Sequence, residues 1–251
     1  MSGHSKWHTI KHKKAAIDAK RGAIFNKHAR LIEVAARTGG PDLNMNIRLR
    51  AAVQAARDIS LPKDKIDKAI AKGSGQVEGA HYEEVIYEAY GPAGVALMLD
   101  VLTDNKNRTV GEIRHILTRH GGRLGESGSV AWIFTQKGVI SVSAEGNDAD
   151  KLLEIVLDAG AQDISDEGET FEITTDPRSF PAVREALEKA GVKVQHAEVA
   201  RVASSTVQLD EGDARKVLRL MEALEDHEDI QSVSANFDIT DDILAAIKDE
   251  G

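Results

Sequence analysis

The chain has 251 residues, 41% hydrophobic and 29% charged, which suits a soluble globular protein of one large or two to three small domains. It has no cysteine, which excludes disulfides, thiolate metal sites and a Cys nucleophile, and few aromatics, so any core is built mainly of Ala, Val, Ile and Leu. The net charge of −9 conceals a split: residues 1–72 hold 16 of the 32 basic residues and six of the 41 acidic ones, a net +10, which leaves −19 on residues 73–251. A cationic head on an anionic body suits a polyanionic partner, because the head attracts phosphate while the body repels it and restricts orientation. The N-terminus lacks an apolar secretory core, and the longest apolar stretch, Val95–Leu102, is interrupted by Asp100 and is too short to span a bilayer. A cytoplasmic protein with no membrane partner is expected.

In chain order, residues 1–72 read as helical. Phe25, Ala29, Ile32 and Ala36 recur at helical spacing until Thr38-Gly39-Gly40-Pro41. A second helix is predicted from Asn46 to Ile59, with Leu49, Val53 and Ala56 on one face. A third follows Pro62 with Ile66, Ala69 and Ile70 and ends near Gly73-Ser74-Gly75. Residues 1–20 are compatible with a helix, an extended arm or a segment that orders on binding. After a linker at 73–82, strands are predicted at Glu84–Tyr90 and Val95–Thr103, a helix at Arg108–His120, a mobile glycine-rich loop at Gly121–Gly128 and a strand at Val130–Phe134. Strand Val139–Ser143, helix Ala149–Ala159, strands Gln162–Ser165 and Thr170–Thr174, helix Pro181–Ala190 and strand Lys193–Ala200 then form a βαββαβ, ferredoxin-like order. A strand near Thr206–Leu209, a helix at Asp213–Leu224 and a strand at Ser232–Asp238 can complete the earlier, unfinished ββαβ unit. The expected organisation is therefore α+β. A three-helix domain (1–75) precedes a discontinuous ferredoxin-like domain (83–136 plus 204–240) that carries an inserted one (137–203); contiguous domains are the alternative.

Lys6, Lys13, Lys20 and Lys27 recur every seven residues, with Lys11, Lys14, Arg21, Arg30 and Arg37 beside them. On a helix this forms a stripe drifting only about 20° per heptad. Such cations suit phosphate oxygens, contacts that position a protein without reading sequence; a solvated helix face is the competing reading. Arg48, Arg50 and Arg57 form a second cluster. Trp7, inside the basic arm, suits either stacking on a base or anchoring the arm to the bundle. His4, His8 and His12 have a helical spacing that suits zinc, but lysines surround them and no carboxylate is interleaved, so no metal or other cofactor is expected. At Thr103–Thr109 an Asx cap by Asp104 or Asn107 is expected, with Lys106 and Arg108 as added anion ligands. No nucleotide loop, zinc-protease motif or nucleophile elbow is present, so neither catalysis nor a small-molecule substrate is expected.

The run GHSKWHTIKHKKAAIDAKRGAIFNKHARLIEVAARTGG resembles the YebC/PmpR family, which includes the mitochondrial translational activator of cytochrome oxidase. NIRLRAAVQAA, LPKDKIDKAIAKGSG, YEAYGPAGVA, LTDNKNRTVGEIR and GGRLGESGSVAWIF extend the resemblance over most of residues 3–138. Ala89 stands where the family usually has glycine, and Ile47 where proline usually follows the asparagine. The resemblance implies a helical N-terminal domain and two ferredoxin-like domains. It also implies nucleic acid as partner, either DNA in a transcriptional regulator or ribosomal RNA in a translation factor that docks its head near the peptidyl-transferase region of the ribosome. A ligand sensor is a third reading.

Overall fold

The computed structural model describes residues 18–78 and 80–249. The head holds three helices: α1 (Asp18–Gly39), α2 (Ile47–Asp58) and α3 (Lys63–Gly73). Their apolar positions meet in one cluster of Ile32, Ala35, Ala36, Leu49, Val53, Ala56, Leu61, Ile66 and Ala69. Many of these are alanines, so the helices approach closely. A Cβ on Gly73 would lie 2.2 Å from the Glu33 carbonyl oxygen of α1. Asn46, buried and at the start of α2, ties the head together. Its Oδ1 accepts from Leu49 N (2.9 Å), while its Nδ2 donates to the carbonyls of Ala35 and Gly40 (both 2.8 Å). Ile47 is 74% exposed, so the residue replacing the family's usual proline lies outside the core.

The body comprises β1 (Glu83–Tyr90), β2 (Ala96–Thr103), α4 (Lys106–Arg119), β3 (Arg123–Leu124), β4 (Phe134–Ser143), α5 (Ala149–Leu157), β5 (Ala161–Asp166), β6 (Thr170–Thr175), α6 (Phe180–Lys189) and β7 (Val194–Ala203). It continues through β8 (Val207–Gln208), α7 (Glu211–Glu225), β9 (Ile230–Ala235), β10 (Phe237–Asp238) and α8 (Asp241–Asp249). Two four-stranded sheets result, in the orders β3-β1-β2-β9 and β5-β6-β4-β7. The second order, with helices following its first and third strands, is that of a ferredoxin-like unit. In the first sheet, β9 pairs with β2 across the intervening module, Leu97 against Ala235 and Leu99 against Val233. The period-two alternation of the strands then divides the chemistry. Ala89, Leu97, Leu99 and Val101 pack against Ile113 and Leu117 of α4 and Val217, Leu220 and Met221 of α7. Ala96 and Met98 face the other way and take Val130 and Ile133. The architecture is α+β: a three-helix domain and two sheet-and-helix domains, the third inserted in the second. Among the described residues, no helix is long and apolar enough to cross a membrane.

Four segments depart from expectation. Residues 131–133 form a 3-10 turn, not a strand, and β4 starts at Phe134 and runs unbroken past position 137, Phe134 pairing with Ala203. The cause is Glu88, whose carboxylate accepts the N–H groups of Gly128 (2.6 Å), Val130 (2.6 Å) and Ala131 (2.9 Å) and so takes the donors a ladder would use. The same bonds fix the loop expected to be mobile. The predicted strand Ser232–Asp238 breaks at Asn236, whose Oδ1 accepts from Ala96 N (2.7 Å); Phe237–Asp238 then pairs in parallel with β8. Helix α8, unforeseen, brings Leu244 onto the core of the first sheet.

Candidate nucleic-acid interface

Lys6, Trp7, Lys11, Lys13 and Lys14, with His4, His8 and His12, lie outside the described residues, and Lys20 is described only as a residue of the α1 backbone. Where α1 begins, Arg21 and Lys65 of α3 each place their charge 5.5 Å from the centre of the Phe25 ring. Phe25 itself is half-buried on the head core. This joins the start of α1 to a row the sequence reading missed, Lys65, Lys68 and Lys72, spaced i, i+3, i+7 on α3; Lys65 and Lys68 are exposed and Lys72 half-buried. The spacing was visible in the sequence, but aspartates at 64 and 67 masked it.

The remaining candidates face protein groups. Lys27 Nζ donates to the Glu225 carbonyl at the end of α7 (2.5 Å). Arg30 reaches Asp229 (2.9 Å) and Glu228 (3.1 Å) and lies 5.3 Å over the Tyr82 ring. Arg37 donates to Glu33 (2.9 Å) and to the Ala80 carbonyl (2.7 Å). Arg48 pairs with Glu84 of β1, and Arg50 donates to the carbonyls of Leu43 and Asn44 (both 2.9 Å). Lys106 pairs with Glu83 (2.5 Å) and Arg108 with Asp229 (2.7 Å) and Asp104 (3.1 Å). Part of the charge split is thus used within the molecule. Lys27, Arg30 and Arg37 share one face of α1, and that face meets the acidic body and the segment leading into it. The cap of α4 is Asn105, whose Oδ1 accepts from Arg108 N (3.1 Å), in place of the expected Asp104 or Asn107.

Asp229 is the hub of this junction. Its side chain, 2% exposed, accepts from Arg30, Arg108 and the Thr109 hydroxyl (2.7 Å). Burial alone would push its carboxyl up, but Thr109, Arg108 and Arg30 outweigh this and hold it below its ordinary value. Glu112, His227 and Asp229 cluster closely enough to suggest a cation site. The hydrogen bonds argue otherwise. His227 Nδ1 accepts from Asp229 N (3.1 Å), which leaves the proton on Nε2, 3.0 Å from Glu112, so the ring has no lone pair to offer a metal.

With this geometry in place, comparison with known proteins identifies the relatives. Residues 5–76 match the TACO1/YebC protein N-terminal domain and residues 82–237 the TACO1/YebC second and third domain. The chain belongs to the TACO1/YebC family. A "probable transcriptional regulatory protein" of Desulforapulum autotrophicum is 51% identical over 98% of this chain and 100% of that protein. One of Pelotomaculum thermopropionicum is 54% identical over 96% of the chain and 100% of its own length. The crystal structure of a conserved hypothetical protein from Aquifex aeolicus superposes with a TM-score of 0.81 at 46% identity, covering 90% of this chain and 94% of that one.

Proposed function

We propose that this TACO1/YebC protein is a non-enzymatic nucleic-acid-binding regulator of gene expression, of the DNA-binding transcriptional type, that holds the phosphate backbone with its basic N-terminal domain. The observation that carries this reading is the +10 charge of residues 1–72 against −19 on the rest. The names of the relatives agree with it. Residues 1–75 would bind, while 83–136 with 204–240, and the insert 137–203, form the acidic body. The grip is assigned to Lys6, Trp7, Lys11, Lys13, Lys14 and Lys20, continued by Arg21 and Lys65 around Phe25. Lys27, Arg30, Arg37, Arg48, Arg50, Lys106 and Arg108 reach phosphate only by exchanging protein partners.

Contacts of this kind are salt-dependent: neutralising 6–10 phosphates loses about 10³–10⁵ in affinity between 50 and 200 mM salt. In the full chain, replacing Lys11, Lys13 and Lys14 together with Glu is expected to abolish binding of a labelled duplex while thermal unfolding stays unchanged. Undiminished affinity at low salt refutes the reading. Crosslinking in cells with sequencing of the bound nucleic acid separates promoter DNA from ribosomal RNA, the second of which would make the protein a translation factor.

A further inference from the structure

The second tryptophan of the chain, Trp132, lies in the acidic body and is 74% exposed. Its neighbours Val130 and Ile133 are buried on the first sheet against Ala96 and Met98, so the turn at residues 131–133 is anchored on both sides while the indole projects outward. The indole N–H is already satisfied, donating to the Ser129 carbonyl (3.2 Å), which also accepts from the Tyr90 hydroxyl (3.3 Å). What remains accessible is an aromatic face on a fixed support. That support is built. Besides the three N–H groups it donates to the Glu88 carboxylate, the loop donates Gly125 N–H to the Glu88 carbonyl (2.8 Å). A Cβ at position 125 would sit 2.5 Å from Ser129 Oγ and 3.3 Å from the Tyr90 ring, so the loop closes tightly here. Burial acts to raise the Glu88 carboxyl, but the backbone N–H groups prevail and keep it below its ordinary value, so the clamp is charged at neutral pH.

The surroundings point to the occupant. Arg123 of the edge strand β3 lies 4.4 Å over the Tyr90 ring. Residues 121–137, from the loop into β4, carry Arg123 and Lys137 against Glu126 alone, a local reversal in a body of net −19. An exposed aromatic face with a cation held close by, through Tyr90 and the Ser129 carbonyl that Tyr90 shares with Trp132, suits a π-faced, polyanionic ligand.

We propose that Trp132 is a stacking platform for an unpaired base, so that nucleic acid gripped by the head meets the body at a single-stranded stretch, its phosphates lying toward Arg123. This rests on the nucleic-acid reading above and adds to it the strandedness of the ligand. Because the platform is pre-organised, little ordering entropy opposes stacking.

The chain contains only Trp7 and Trp132, so the W7F chain reports on Trp132 alone. It is titrated at about 50 mM salt with a short mixed-sequence DNA or RNA single strand and with the matching duplex. Binding is followed by label anisotropy and Trp132 by its emission. The single strand is expected to quench Trp132 and the duplex to leave it largely unchanged. Affinities are compared with Trp7 in place: relative to the natural chain, W132A is expected to bind the single strand roughly 5- to 100-fold more weakly, while W132F, which keeps a ring, retains most of the affinity. If the single strand binds without quenching and W132A does not weaken it, the platform is overturned and the head reading survives. If W132A weakens binding but the Lys11, Lys13 and Lys14 replacements do not, the head reading fails and the platform stands. Equal quenching by duplex overturns the platform.

Discussion

Replacing Asp229 with Asn removes the charge on which head and body converge while preserving the size of the side chain. The carboxylate accepts three bonds, from Arg30 of the head and from Arg108 and Thr109 of α4, and is itself almost fully buried. Breaking a buried pair by removing one partner typically costs about 3–5 kcal/mol, because the other charge is left uncompensated. Here the side chain of Arg30 is 19% exposed and that of Arg108 39%, so both recover some hydration. Asn also keeps one acceptor. The expected loss is therefore about 2–3 kcal/mol. Arg30→Ala leaves the bonds of Asp229 to α4 in place, removes those of the head to Asp229 and Glu228, and is expected to cost about 1–2 kcal/mol. The double variant should cost less than the sum of the two, since both remove the Arg30–Asp229 contact, while Arg30→Ala alone also removes those to Glu228 and Tyr82. Urea unfolding of the full chain in a W7F background, followed by Trp132 emission, reads the body; amide exchange in α1 reads head docking. Since the folded carboxyl lies below its ordinary value, this stabilisation is fully present above about pH 3.8 and is lost as pH falls through the folded value beneath it. A D229N chain within about 0.5 kcal/mol of wild type would show that the junction is a surface ion pair of little consequence.

Two further outcomes follow from the structure. Burial, with Glu167 adding to it, pushes the Glu172 carboxyl up to about 7, so its contribution to stability is complete below its ordinary value of 4.5 and is lost as pH rises through about 7. Glu172→Gln is expected to remove that dependence and to be more stable than wild type at pH 8 by up to about 3 kcal/mol, as read by denaturation at a series of pH values; parallel pH profiles would contradict it. Gly73→Ala sets a Cβ 2.2 Å from the Glu33 carbonyl oxygen and 2.7 Å from Ala36 Cβ. It should therefore separate α1 from α3 at a cost of about 1–3 kcal/mol, visible as faster amide exchange in the head with the body unchanged.

The sequence by itself determined the helices of the head, the βαββαβ order of the inserted unit and the charge split, because period 3.6, period two and charge counts are local properties of a chain. Residues 232–238 already carried the pattern of a strand, but the break at Asn236 depended on Ala96, 140 residues away. The turn at 131–133 was likewise decided by Glu88 on another strand, which took the N–H groups that the local pattern assigned to a ladder. The cations illustrate the same limit. Lys27, Arg30 and Arg37 sit in a basic segment, and nothing nearby in sequence shows that they meet Glu225, Asp229 and Ala80. Whether a charge faces solvent or a carboxylate depends on which surfaces fold together, and only the tertiary structure supplies that.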